Sequence, residues 1–142
     1  MKSSSQVFER TLELKTARRV ELVEITHELD RIVASSGVTS GVCIAYVPHT
    51  TAGLIINENA DPDVAADIEA TLERLVPRSA AYRHTEGNAD AHIRSVLTGV
   101  SQMIPVAGGR LKLGRWQGVF FCEFDGPRRR EVWVKVLGDV GG

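Results

Sequence analysis

Three histidines in this sequence lie among hydroxyl, amide and carboxylate groups that could share a site. His49 opens the run HTTAGLIINEN, directly after an apolar segment and Pro48. Thr50 and Thr51 add two hydroxyls at a junction of the kind that delivers functional groups to a pocket. The same hydroxyls would also serve as local caps for backbone groups. Farther on, the stretch HTEGNADAH holds His84 and His92 with Glu86, Asn88 and Asp90 between them. A neutral imidazole donates a lone pair to a borderline metal near pH 7. Three histidines around a metal with one open position make a known catalytic arrangement. Glu86, Asn88 and Asp90 would then orient the rings by hydrogen bonding. The spacing does not choose between readings, because there is no His-Glu-x-x-His pattern and no cysteine quartet. A polar pocket without metal fits equally, and Asp90 also suits a helix first turn as a favourable charge.

A third group of residues lies in GRWQGVFFCEFDGPRRR. Glu123 alternates with Cys122 and Phe124 and shares a face with Phe121 and Val119. A carboxylate on an apolar strand face needs a partner or a shifted pKa. Arg128, Arg129 or Arg130 could supply that partner across the DGP turn. One reading makes Glu123 a base or ligand and Arg128 an anion binder; the other is a strand-end ion pair. Trp116 reads as core or interface aromatic surface. Asn57, Glu58 and Asn59 precede Asp61, where such residues gather for backbone reasons; Glu58 alone is not needed as a cap. Gly108-Gly109 lacks the phosphate-loop pattern, and there is no Gly-x-Ser-x-Gly elbow.

These groups must be positioned by a small domain. VFERTLELKT and RVELVEIT alternate as strands, with ARR as a turn that would make an opening hairpin. THELDRIVASSG changes to helical period, with Thr26 as its cap and Gly37 as its end. GVCIAYV reads as a buried strand and GLIIN as a second, shorter one. The clearest helix follows Asp61 and Pro62, with Val64, Ile68, Leu72 and Leu75 as its buried stripe and Pro77 as its stop. DAHIRSVLTG reads as a short helix with Ile93, Val96 and Leu97 inward. The remainder reads as two hairpins, one turning at Gly108-Gly109 and one at DGPRRR. About seven strands and three helices result: a single α+β domain spanning residues 1–142, on a largely antiparallel sheet.

Composition sets the outer limits. The 142 residues suit one domain and are 43% hydrophobic and 25% charged, an ordinary globular balance. Seventeen basic residues against eighteen acidic ones give a net charge of −1, which argues against a general nucleic-acid binder. No apolar run approaches the roughly 18 residues of a membrane span. MKSSSQVFER lacks the apolar core of a secretory signal. Cys43 and Cys122 sit in apolar runs and read as reduced and buried, so the cytoplasm is the expected compartment.

Taken together, HTTAGLIINENADPDVAADI, HTEGNADAHIRSVLTG and IPVAGGRLKLGRWQGVFFCEFDGPRRREVWV resemble the YjbQ family. That family is also called UPF0047, or secondary thiamine-phosphate synthase enzyme. The resemblance runs from about Gly41 to Gly138, and it departs at Arg115, where a small or hydroxyl residue is expected. It implies an α+β fold with a large antiparallel β-sandwich, assembled as a homotrimer, with the polar motifs in one cleft. Carried over by residue, the implied metal ligands are His49, His84 and His92, holding a divalent metal such as zinc or magnesium. His49, His84 and Glu123 are the implied catalytic groups. Thr50, Thr51, Asn88, Trp116 and Arg128 would bind a small phosphorylated metabolite, while Glu58, Glu86 and Asp90 would orient the ligands. The implied reaction joins a pyrimidine pyrophosphate to a thiazole phosphate and releases pyrophosphate, which needs positive charge for the departing group. Two rival expectations stand beside it: a metal-dependent hydrolase of a small phosphorylated or acyl substrate, and a non-catalytic metal- or metabolite-binding protein.

Overall fold

The computed structural model describes residues 4–141. Eight strands and three helices follow in the order β1 (Ser4–Lys15), β2 (Glu21–Glu24), α1 (Thr26–Ser36), β3 (Val38–Tyr46), β4 (Ala52–Glu58), α2 (Pro62–Leu75) and α3 (Ala89–Thr98). Then come β5 (Ser101–Ala107), β6 (Arg110–Leu111), β7 (Gln117–Glu123) and β8 (Arg129–Val140). They form an α+β domain in which two antiparallel sheets pack together. One has five strands in the order β1-β8-β3-β5-β6, the other three in the order β2-β7-β4.

The main core lies between these sheets. Cys43, Ala45, Ile104 and Val134 of the large sheet meet Leu54, Val119 and Phe121 of the small one, with Leu29 and Val33 of α1 in the same cluster. A second, smaller cluster lies on the other face of the small sheet, where Ala91 of α3 and Leu72 of α2 meet Cys122 and Phe124. β7 is therefore covered on both faces and is buried from Gly118 to Glu123. β8 has one bare face, and its residues alternate between buried and exposed from Arg130 to Val136.

Local chemistry accounts for the element ends. Asp61 caps α2 by accepting from the Asp63 amide at 2.9 Å, and Pro62 occupies the first turn. Gly37 closes α1 in the left-handed conformation. Gly108 and Gly109 both have positive φ, as a two-residue hairpin turn requires, and they join β5 to β6. Gly53 lets α3 lie directly on β4, because a Cβ there would sit 2.0 Å from Thr98 Oγ1.

Several sequence expectations are corrected. The two proposed terminal hairpins do not form: β1 pairs with β8, whereas β2 pairs with β7. The chain crosses between sheets at Thr16–Arg19 and again at the DGP turn, so period alone named the strands but not their partners. Thr26 does not cap α1; its hydroxyl accepts from the Val119 amide at 2.8 Å and donates to Glu24. On α2 the stripe of Val64, Ile68 and Leu72 is only half-buried, and Leu75 is 69% exposed. The largest departure is α3. Its buried side holds Asp90, Ala91, Arg94 and Ser95, while Ile93, Leu97 and Val96 (81% exposed) face outward. A buried ion pair has displaced the apolar stripe. No helix among the described residues is long and apolar enough to cross a membrane. Cys43 and Cys122 are free and buried, and burial pushes their thiols up to about 11 and about 12.

Candidate functional site

The loop between β3 and β4 carries His49, Thr50 and Thr51 past the end of the large sheet. There His49 Nε2 accepts the Glu131 amide of β8 at 2.9 Å. A backbone N–H can only donate, so Nε2 is unprotonated and the neutral ring carries its hydrogen on Nδ1. Desolvation holds His49 below the ordinary imidazole pKa, and the Arg130 charge adds to the effect. The carboxylates of Glu131 and Glu123 oppose that shift without reversing it. His49 and Thr50 line a cleft of about 740 Å³ with His92, Ser95 and Val96 of α3 and Tyr46 and Trp133 of the large sheet. The Tyr46 and Trp133 rings stack with centroids 6.0 Å apart and an interplanar angle of 24°.

His92 also faces a second hollow, of about 370 Å³, which it shares with His84 and Tyr82. The His84 and His92 rings meet edge to face at a centroid distance of 5.2 Å. His84 Nε2 donates to Asn88 Oδ1 at 2.9 Å and lies 3.6 Å from the exposed carboxylate of Glu86. Asn88 in turn donates to Asp125 at 2.9 Å, and Asp125 pairs with Arg128 at 3.0 Å. Burial acts to raise the Asp125 pKa, but the bonds from Asn88 and Arg128 outweigh it and the net shift is downward.

Behind this surface lies a closed polar knot. Glu123 is fully buried and accepts from Arg130 Nε at 2.9 Å, Thr16 Oγ1 at 2.7 Å and the Asp125 amide at 3.0 Å. Arg130 Nη2 also reaches Glu123, and it donates to the Thr51 hydroxyl at 2.9 Å. Desolvation acts to raise the Glu123 pKa, yet these donors carry it below its ordinary value. The carboxylate is ionised and saturated with partners. It positions Thr51 and the loop that carries His49 rather than taking up a proton.

The structure thus brings together His49, Thr50 and His92 around one cleft, with His84, Glu86 and Asn88 beside it and Thr51, Glu123 and Arg128 linked behind. Other expectations separate. Glu58 and Trp116 belong to the opposite end of the small sheet: Glu58 pairs with Gln117, whereas Ala52 pairs with Glu123. The seven-residue strands put about 20 Å between those ends. Asp90 turns away from the histidines and binds Arg19 and Arg94 instead. Arg128 is committed to Asp125 through its carboxylate and its carbonyl. Among the described residues, no three His, Cys, Asp or Glu side chains are grouped to hold a metal ion. The three-histidine set is therefore not assembled within one chain. Sequence reasoning passed over Arg130 as one of three equal candidates, and it missed Asp125, Thr16, Tyr46 and Trp133. The aromatic residue standing outward on an alternating strand, Trp133, was the readable signal.

The sequence profile described as "UPF0047 protein YjbQ-like" matches residues 10–139. The chain belongs to the YjbQ/UPF0047 family. A UPF0047 protein of Methanocaldococcus jannaschii is 53% identical over 127 residues, covering 89% of this chain and 92% of that protein. YugU of Bacillus subtilis is 48% identical over 130 residues, covering 91% and 98%. In structure, the YjbQ-family fold aligns with a YbjQ-like protein of unknown function from Sulfolobus solfataricus P2 at a TM-score of 0.91. That pair is 34% identical and covers 95% of this chain and 99% of the other. An uncharacterised YjbQ/UPF0047 protein of Clostridium acetobutylicum aligns at 0.88 with 48% identity, covering 89% and 98%.

Proposed function

We propose that this YjbQ-family protein is a transferase of the thiamine-phosphate synthase type, working on a small phosphorylated metabolite in the cytoplasm. The observation that supports this is the cleft in which His92 and a neutral His49 stand beside the stacked Tyr46–Trp133 pair. An aromatic wall suits a flat pyrimidine ring. In the reaction, the thiazole nitrogen forms a bond to the pyrimidine methylene carbon as the carbon–oxygen bond to pyrophosphate breaks. The leaving oxygen gains charge, and Nδ1–H of His49 and the imidazole of His92 are suited to donate to it. Thr50 at the rim is a further donor. A divalent metal would need ligands beyond those grouped in one chain, so no step is assigned to it.

Assembly as a homotrimer belongs to the same proposal. Val96 and Trp133 of the cleft wall and Ile93 of the neighbouring hollow are exposed apolar side chains, of the kind that marks a protein–protein contact. A second copy would cover them and dry the cleft. Light scattering at micromolar concentration checks this, and a monomeric mass would overturn it.

The reaction is tested by supplying both phosphorylated precursors to wild type, His49→Ala and His84→Ala. Product from wild type and a drop of at least about a hundredfold in His49→Ala is expected, in the range of lost acid–base catalysis. Equal product from wild type and both variants would remove the histidines from the mechanism.

A further inference from the structure

On the far side of α3 from the histidine cleft, three guanidinium groups meet in a hollow of about 410 Å³. Arg19, Arg78 and Arg94 line it, with Val20, Pro77 and Glu73 completing the wall. Arg94 is the unusual member. It is only 2% exposed, yet it is a cation on a helix face that would ordinarily be apolar. Its Nε and Nη2 close the end of α2 by donating to the Val76 carbonyl at 3.2 and 2.8 Å. Nη2 also lies 3.2 Å from Asp90. Nη1, a buried amino group with two N–H donors, has no partner.

The neighbouring charges do not fill this gap. Asp90 is fully buried, and both its oxygens accept from Arg19, at 3.3 and 3.2 Å. A single carboxylate thus serves two arginines. Glu73 is the other acid in the lining and is exposed to water. Three guanidinium groups therefore face two carboxylates, and the excess positive charge sits where a buried cation has unused donors. Planar guanidinium groups recognise the oxygens of phosphate with paired hydrogen bonds. Arg78 is exposed beside Pro77 and can swing over the opening, whereas Arg19 and Arg94 are held by Asp90.

We propose that this hollow is a binding site for a phosphate group, with the exposed Arg78 and the partly exposed Arg19 as its donors and the surplus charge of buried Arg94 behind them. The volume also admits a small carbon skeleton, so the group arrives either as inorganic phosphate or on a phosphomonoester. Because α3 separates it from His49 and His92, the site does not depend on the reaction proposed above.

The test follows the arginine Nε–H resonances of the full chain while inorganic phosphate, or ribose 5-phosphate in a parallel arm, is added at constant ionic strength. Wild type, Arg78→Glu and His49→Ala are compared. The Arg19 signal is expected to shift saturably in wild type and in His49→Ala, with affinity at least tenfold weaker in Arg78→Glu. Arg78 is exposed, so this substitution leaves the fold intact, and unchanged amide spectra would verify that. Tighter binding of ribose 5-phosphate would assign the site to phosphomonoesters, and equal binding to the free anion. Three results would overturn the proposal: no saturable shift at Arg19, the same titration in Arg78→Glu, or shifts confined to His49 and His92. The first is what a water molecule satisfying Nη1 would produce.

Discussion

Two buried arginine–carboxylate clusters flank the small sheet, and they differ in completeness. Around Glu123, both carboxylate oxygens are engaged: Thr16, Arg130 and the Asp125 amide donate to them, and Arg130 Nη2 also holds Thr51. Around Asp90, the carboxylate is shared between Arg19 and Arg94, and Arg94 Nη1 is left over. Similar residues thus serve different ends. A saturated cluster fixes geometry, here the loop bearing Thr51 and His49, because any movement would strip bonds from a buried charge. An unsaturated one keeps binding capacity in reserve. Burial of a charged residue is therefore a weak guide to function until its hydrogen bonds are accounted for.

The sharpest way to break this comparison is to remove one member of each cluster. Glu123→Ala would leave Arg130 buried without its counter-ion, a loss of about 3–5 kcal/mol. Denaturant unfolding should show it as a fall in midpoint, and the larger part of the loss should persist in Glu123→Gln. A midpoint within error of wild type would show that Arg130 escapes to water and that the cluster is not closed. Asp90→Asn should cost less, about 2 kcal/mol, because Arg94 keeps its two bonds to the Val76 carbonyl and Arg19 is partly exposed and can turn outward. The two variants should also part in their response to anions. Phosphate should restore midpoint to Asp90→Asn, where positive charge is now in greater excess, and give Glu123→Gln no more than it gives wild type. Equal recovery in both would erase the distinction between closed and open clusters.

Acid titration sharpens the same contrast. Glu123 and Asp125 are both held below their ordinary values of 4.5 and 3.8, so the folded state releases their protons more readily than the unfolded chain does. Their contribution to stability is complete above those ordinary values and is lost as pH falls through the lowered folded ones. Unfolding midpoints measured downward from pH 5 should fall steeply in wild type. In Glu123→Gln the midpoint should start lower and the slope should be shallower.

Much of the fold was readable because β3, α2 and the Gly108-Gly109 turn carry strong local signals. The strand partners were not readable, since Thr16–Arg19 and Asp125–Arg128 look like hairpin turns although each passes the chain from one sheet to the other. On α3, the apolar residues at 93, 96 and 97 were assigned inward by the usual amphipathic rule. The rule failed because Asp90 and Arg94, one turn apart, form an ion pair in the interior, where Arg94 also bonds the Val76 carbonyl, and so can be buried together. For the site, residue type picked out His49, His84, His92, Glu123 and Asn88. It could not separate Arg128 from Arg130, because that choice depends on which residue of β8 points between the sheets: Arg130 is inward and Arg128 precedes the strand. Glu58 and Trp116 were placed with the others by motif membership, yet the length of β4 and β7 carries them to the far end.

The smallest expected effect concerns His49, which stands at the border between the closed cluster and the open cleft. Its pKa lies below the ordinary 6.5, first through desolvation and then through the nearby Arg130 charge. A depressed histidine pKa means that the unfolded chain binds the proton more readily than the folded one. Stability is therefore fully present above 6.5 and declines as pH drops from 6.5 through the folded value. One proton is involved, so the slope attributable to His49 stays below about 1.4 kcal/mol per pH unit. His49→Gln should flatten the profile in that window and leave the steep loss below pH 4.5 untouched, since that belongs to Glu123 and Asp125. Should His49→Gln also flatten the acid limb, the loop and the buried cluster titrate as one unit. The Glu131 amide bond to Nε2 predicts the additional outcome that nitrogen-15 shifts of the His49 ring report the Nδ1–H tautomer at neutral pH. An Nε2–H form would mean that the loop has released β8 and that the cleft wall beside Trp133 is free to rearrange.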